Sequence, residues 1–328
     1  MKGDGRVWRR ELLLGLAGAA TGAVLPAPVQ RGLAALAPSP SAVAAVVDAS
    51  QREFGACRYE ALARALPRRI ALAQGLGDGG RPEQAANALA ALYSTATRLC
   101  IKLGDDRLAA VTADRALTAA LGGADALTVA EAHRMVSSAW RRQGHQARAT
   151  DVAIAAARQL AADHTCDMTE RLSVQGNLYA TAAYTAAKQG DRHTAHALIA
   201  EAEATAGQLG HDARLRGSVF GPGQVLLHRI SLSHPLGDAG RAVEYARLVD
   251  PAALPTAERR ARYWIDVARA FDQWGRPERC YRALLAAERA APQEVRRGAV
   301  RAMAAGLLRH DRALPGVRAF AHRTRALT

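Results

Sequence analysis

The sequence predicts an all-α fold, a solenoid of helical hairpins, on three observations. A glycine recurs at Gly104, Gly144, Gly190, Gly237 and Gly275, and five residues after each stands Ala109, Ala149, Ala195, Ala242 or Cys280. Seven residues further on come Ala116, Ala156, Ala202, Val249 and Ala287. A glycine takes the left-handed turn between two helices, and small residues at fixed offsets let the second helix lie close against the first. Nearly a quarter of the chain is alanine, the best helix former. Strand-forming residues are scarce and aromatic residues make up only 5 %, so no sheet is expected.

The elements follow in order. Residues 1–40 read as a tail or linker, closed by Pro26, Pro28, Pro38 and Pro40. The repeat domain is placed at 41–328, with a helix starting near Ser41 and a second from Tyr59 to Leu76 around Pro67. Gly75 to Pro82 reads as a connector. Five hairpins then turn at the anchor glycines, which are spaced by 40, 46, 47 and 38 residues. The excess over a minimal repeat is assigned to longer connections at 164–169 and 207–223. At least ten helices in antiparallel pairs result.

The formal net charge of +14 raises nucleic acid as a partner, but its distribution argues against a dedicated site. Only Lys2, Lys102 and Lys188 among 44 basic residues are lysine, and the arginines are dispersed along the chain. Dispersed arginines solvate helix faces and can neutralise phosphates without reading base edges. Cys57, Cys100, Cys166 and Cys280 have no ligand spacing and read as free thiols. Near the N-terminus, Arg9-Arg10 precede an apolar stretch from Leu12 to Leu25, which resembles a twin-arginine export signal. Acidic Asp4 and Glu11 flank the pair, and Ala35-Leu36-Ala37 is followed at once by Pro38. A cytoplasmic protein is the expectation, with export as the alternative. The apolar run is too short to span a bilayer, so no membrane partner is expected.

No motif carries catalysis or a cofactor. His193 and His196 share a helix face near Asp191 but lack further ligands in order, so no metal is expected. Gly221-Pro222-Gly223 lacks the lysine and the preceding strand of a phosphate loop, and reads as the start of a helix with Pro at its first turn. No Ser-His-Asp order or nucleophile elbow is present. The chain is therefore expected not to be an enzyme.

The 3.6-residue period assigns a groove-lining stripe to the first helix of each hairpin. The stripe comprises Arg98 and Lys102; Arg134, Ser138 and Arg141; Asn177, Tyr184 and Lys188; Gln224; and Arg269 with Asp272. His228 and Arg229 join it as candidate ligand contacts. Cations dominate, so an anionic small-molecule effector, a peptide or a protein is the expected partner. A homodimer is a separate candidate assembly.

The last hairpin, with Trp264, Val267, Ala268, Phe271, Gly275, Cys280, Leu284, Ala287 and Pro292, resembles the tetratricopeptide repeat. Tyr93 or Tyr179 stands in earlier hairpins where Trp264 does, Trp140 stands where Phe271 does, and Arg229 occupies an expected apolar position. A narrower resemblance covers residues 50–328. Phe220-Gly221-Pro222-Gly223-Gln224-Val225-Leu226-Leu227-His228-Arg229, Leu236-Gly237-Asp238, Val249-Asp250-Pro251, Leu254-Pro255, Glu258-Arg259-Arg260-Ala261-Arg262 and Ala313-Leu314-Pro315-Gly316-Val317-Arg318 are similar to the C-terminal repeat domains of Xre-type helix-turn-helix regulators of high-GC bacteria. That resemblance implies a sensory or protein-binding module in transcriptional regulation. The residues before Ser41 hold no helix-turn-helix, so this chain alone is expected not to bind DNA sequence-specifically.

Overall fold

The computed structural model describes residues 38–327. The Arg9-Arg10 stretch and the segment after it lie outside the described residues. Two compact units divide the chain, one formed by residues up to 54 together with 58–143, the other by 55–57 and the residues from 144 onward.

The first unit is helical. It holds α1 (Pro40–Gly55), α2 (Tyr59–Asp78), α3 (Pro82–Leu103), α4 (Asp106–Leu121) and α5 (Ala126–Arg142), with α1 running one residue beyond it. Arg69 on α2 clamps Glu53 on α1 through two bonds of 2.8 and 2.9 Å and also donates to Ser50, at 3.0 Å. Proline opens α3, where its missing N–H would have had no partner, and Gly104 ends it with φ 75°. Asp105 then caps α4 by accepting from the Leu108 N–H at 3.0 Å. Ala109 and Ala116 are fully buried along α4, and Thr97 and Thr112 share a hydrogen bond of 3.0 Å across this hairpin.

The second unit holds α6 (Gln146–Ala161), α7 (Met168–Gln189), α8 (Arg192–Leu209), β1 (Ala213–Leu215), β2 (Ser218–Phe220), α9 (Pro222–Ser233) and α10 (Ala239–Ala246). It continues with α11 (Ala257–Gln273), α12 (Pro277–Ala290), α13 (Gly298–Leu307) and α14 (Val317–Arg323). Two 3-10 turns, Glu294–Arg296 and Leu308–Ala313, join the last elements. Within the unit α7 packs on α6, α8 and α9, while α9 packs on α10 and α11. Cys280, Leu284 and Ala287 of α12 join Val267 and Ala268 of α11 in one buried cluster, with Trp264 and Phe271 packed on its edge.

All five anchor glycines adopt positive φ, between 66° at Gly275 and 88° at Gly144. The small residues that follow are buried, with one exception: α10 ends at Ala246, so Val249 lies beyond the helix and is only half-buried. The architecture is all-α, built of repeated helical hairpins.

One expectation is corrected. The connection before α9 folds into a two-stranded antiparallel ribbon, pairing Ala213 with Phe220 and Leu215 with Ser218. Arg216 and Gly217 at its tip both have positive φ, as a two-residue hairpin requires. Phe220 is buried against α7, where a Cβ on Gly176 would stand 2.0 Å from its ring. The α9 start then depends on Gly221, at φ 155°, where a side chain would meet the His211 carbonyl oxygen at 2.3 Å. Because Gly221 cannot cap, Asp212 does so from across the ribbon by accepting from the Gly223 N–H at 2.9 Å.

Candidate functional site

In the first unit the expected site residues form local pairs. The Arg98 guanidinium lies 4.7 Å from the Phe54 ring centre, with the Lys102 ammonium at 6.0 Å, and Arg98 also donates to Thr95 at 3.3 Å. Arg134 grips Glu131, three residues earlier on its own helix, with two parallel hydrogen bonds, one of them 2.8 Å. Burial works against the Arg134 charge, but the adjacent Glu131 carboxylate outweighs it and raises the guanidinium pKa. Ser138 is buried and Arg141 is half-buried.

The second unit places its residues differently. Asn177 is buried and donates to the Ser173 carbonyl at 3.1 Å and to Ser218 on β2 at 3.3 Å, so it anchors the ribbon and lines no groove. Arg229 is also displaced from the expected stripe: it pairs with Glu203 on α8 and reaches Tyr245 on α10, both on second helices. The arginine at an apolar repeat position is accommodated because its guanidinium finds this carboxylate and lies 5.5 Å from the Tyr245 ring centre. Tyr184 and His228 are half-buried, and Lys188 is exposed.

Gln224 is fully buried, and neither its amide nitrogen nor its amide oxygen has a hydrogen-bond partner. A buried polar group in that state is destabilising by about 1–3 kcal/mol.

The centre of this unit's polar face is a residue that the stripe omits. Asp266 on α11 is buried and accepts from Arg262 Nε at 2.7 Å through Oδ2 and from Arg269 Nη1 at 2.7 Å through Oδ1. Ser231 on α9 also donates to its Oδ2, and Arg262 Nη2 stands 3.5 Å from the Ser231 oxygen. Burial alone would raise the Asp266 pKa, but Arg262, Arg269 and Ser231 hold the carboxyl below the ordinary range. Arg262 in turn is pushed up, chiefly by Asp266, with smaller contributions from Tyr184 on α7 and from Glu258. His234 is pushed down by burial first and by Arg269 next, with Lys188 acting the same way and Asp266 and Asp272 opposing.

Three first helices thus contribute to one electrostatic neighbourhood: Tyr184 and Lys188 from α7, Ser231 and His234 from α9 and its end, and Arg262, Asp266 and Arg269 from α11. The signal was present in the sequence. Glu258, Arg262, Asp266 and Arg269 recur at intervals of four, four and three residues, an alternating-charge face of one helix.

The arrangement offers two half-exposed guanidiniums held rigid by one shared carboxylate, which is the chemistry of anion or polar-edge recognition. Elsewhere, His193 and His196 are exposed on α8, and Asp191 accepts from the Thr194 N–H at 3.0 Å as its cap. No group of three or more His, Cys, Asp or Glu able to hold a metal occurs among the described residues. No described helix is long and apolar enough to cross a membrane.

No family model and no curated protein matches the chain. A solved structure to which it is similar is BtubC (BKLC) from P. vanneervenii, at 17 % identity and a TM-score of 0.44, covering 70 % of this chain and 91 % of that one.

Proposed function

We propose that the chain is a non-enzymatic binding module that recognises a small anionic effector through the first-helix face of its second unit. The observation that carries this reading is the Asp266 network, which fixes Arg262 and Arg269 and ties α9 to α11 through Ser231. A solvated helix face needs no such construction, since exposed ion pairs contribute little to stability. Prepositioned guanidiniums gain bidentate bonds to an anion without first being ordered. The segment from Phe220 to Arg229 resembles Xre-type regulators, and the role that resemblance implies is effector sensing in a cytoplasmic transcriptional regulator. A bound anion would share Arg262 with Asp266 and shift the α9–α11 contact, by as much as its affinities for the two arrangements differ.

Hydrogen-exchange mass spectrometry with a panel of nucleotides, dicarboxylates, amino acids and acidic peptides tests the reading. At least one small anion is expected to slow exchange in α7, α9 and α11. Protection by peptides alone would replace the sensor by a protein-interaction scaffold, and no protection by any member would remove the site.

A further inference from the structure

We infer that the face from Gln224 to Arg262 binds a nucleoside monophosphate, with the base edge on the Gln224 amide and the phosphate on the Arg262 guanidinium. This rests on the binding reading above and names its ligand class. Gln224 is fully buried with both amide atoms unpartnered, and a carboxamide in that state is complemented by a group presenting an acceptor and a donor side by side. Nucleobase edges have that pattern, and Gln pairs with them in bidentate fashion.

The second half of the argument is spacing. Gln224, His228 and Ser231 stand at i, i+4 and i+7 of α9 and so share one face, Gln224 and Ser231 being about 10 Å apart along the axis. Arg262 reaches the far end of that face, its Nη2 lying 3.5 Å from the Ser231 oxygen. That rise along the helix is comparable to the length of a nucleoside 5′-monophosphate from base edge to phosphate. His228 brings a planar ring to the middle, one turn from either end, where the sugar or the base face would lie. Arg262 keeps its guanidinium partly exposed while Asp266 orients it, the geometry in which arginine takes phosphate. Because Gln224 is covered, the side chains over it have to move to admit the base, which lowers apparent affinity by the fraction of molecules open.

The experiment is titration calorimetry of the full chain with AMP, GMP, CMP and UMP, with inorganic phosphate, and with the matching nucleoside. At least one monophosphate is expected to bind, and phosphate or nucleoside alone to bind at least about tenfold more weakly. Gln224→Leu should weaken that nucleotide at least about tenfold while melting at the same temperature or higher, because it removes an unpartnered amide without opening a large cavity. Arg262→Gln should weaken it similarly, with helical content checked by circular dichroism.

No binding by any of the four monophosphates overturns the inference. So does binding unchanged by Gln224→Leu, or phosphate binding as tightly as the nucleotide. A crystal structure grown with the nucleotide that shows only ordered water on both Gln224 amide atoms has the same force. If the monophosphates fail while another small anion slows exchange in α7, α9 and α11, the ligand class is wrong and the binding reading stands.

Discussion

The two units carry similar arginine-rich first helices and use them in opposite ways. In the first, Arg134 is neutralised by Glu131 on its own helix, and Arg98 lies against the Phe54 ring. In the second, Arg262 and Arg269 converge on an acid that also holds a serine of the neighbouring helix. Cation count along a stripe therefore says little about a site. What distinguishes the second unit is that one buried acid is shared by two arginines of its own helix and by a serine of the neighbouring helix, so the two guanidiniums are fixed relative to α9.

The contrast breaks most visibly at Asp266. Asp266→Ala leaves two guanidiniums facing each other without their shared acid and should destabilise the second unit by about 3–5 kcal/mol, read as a lowered urea midpoint. Glu131→Ala in the first unit should lose less, about 1–3 kcal/mol, since it leaves one guanidinium unpaired where Asp266→Ala leaves two. Equal losses would mean that the two faces are built alike.

Packing gives an intermediate effect in both units. Ala116→Leu on α4 and Ala287→Leu on α12 should each lose roughly 1–3 kcal/mol through overpacking. Val249→Leu, beyond the end of α10, should change the melt by less than about 0.5 kcal/mol. A penalty at position 249 as large as at 287 would contradict the shortened helix.

The smallest effects sharpen the electrostatic comparison. His133 in the first unit and His234 in the second both titrate below the ordinary histidine value, His133 through burial and His234 through burial together with Arg269 and Lys188. A histidine whose folded pKa is lowered supports the fold above its unfolded value near 6.5 and loses that support as pH falls toward the folded value. Both should therefore weaken the protein slightly on acidification below about pH 6.5. Asp266→Asn should lower the His234 pKa further, because it removes a charge that raises it, and leave His133 unchanged. Imidazole proton shifts followed by NMR check this, and parallel movement of both histidines would show that the shift does not arise in the Asp266 network. Acid also reaches Asp266 itself: its folded pKa is depressed, so its contribution is present above its unfolded value near 3.9 and disappears as pH falls through the folded one.

The hairpins were legible because their determinants are local. A glycine at positive φ and a small residue one turn into the next helix are set by neighbours a few positions away, as at Gly104 with Ala109 and Gly275 with Cys280. The ribbon was not legible. It depends on Phe220 finding the space that Gly176 leaves, 44 positions earlier, and on Asp212 capping a helix that starts ten residues later. The site was legible in part. Helical period put Gln224, Tyr184, Lys188 and Arg269 on one kind of face, yet on α11 the stripe began at Arg269 and so left out Asp266, one turn earlier, whose role depends on Ser231 of another helix. The same period could not tell that Asn177 would be spent on Ser218 or that Arg229 would turn to Glu203, since both partners come from other elements.

The most direct test places two changes in each unit and measures binding of whichever small anion from the exchange panel protects α9. Arg262→Gln and Arg269→Gln are expected to reduce affinity at least about tenfold, with Arg134→Gln and Arg141→Gln within about twofold of the parent chain. All four proteins should keep the parent helical content. Equal losses from all four, or losses confined to Arg134 and Arg141, would contradict a binding site on the first-helix face of the second unit.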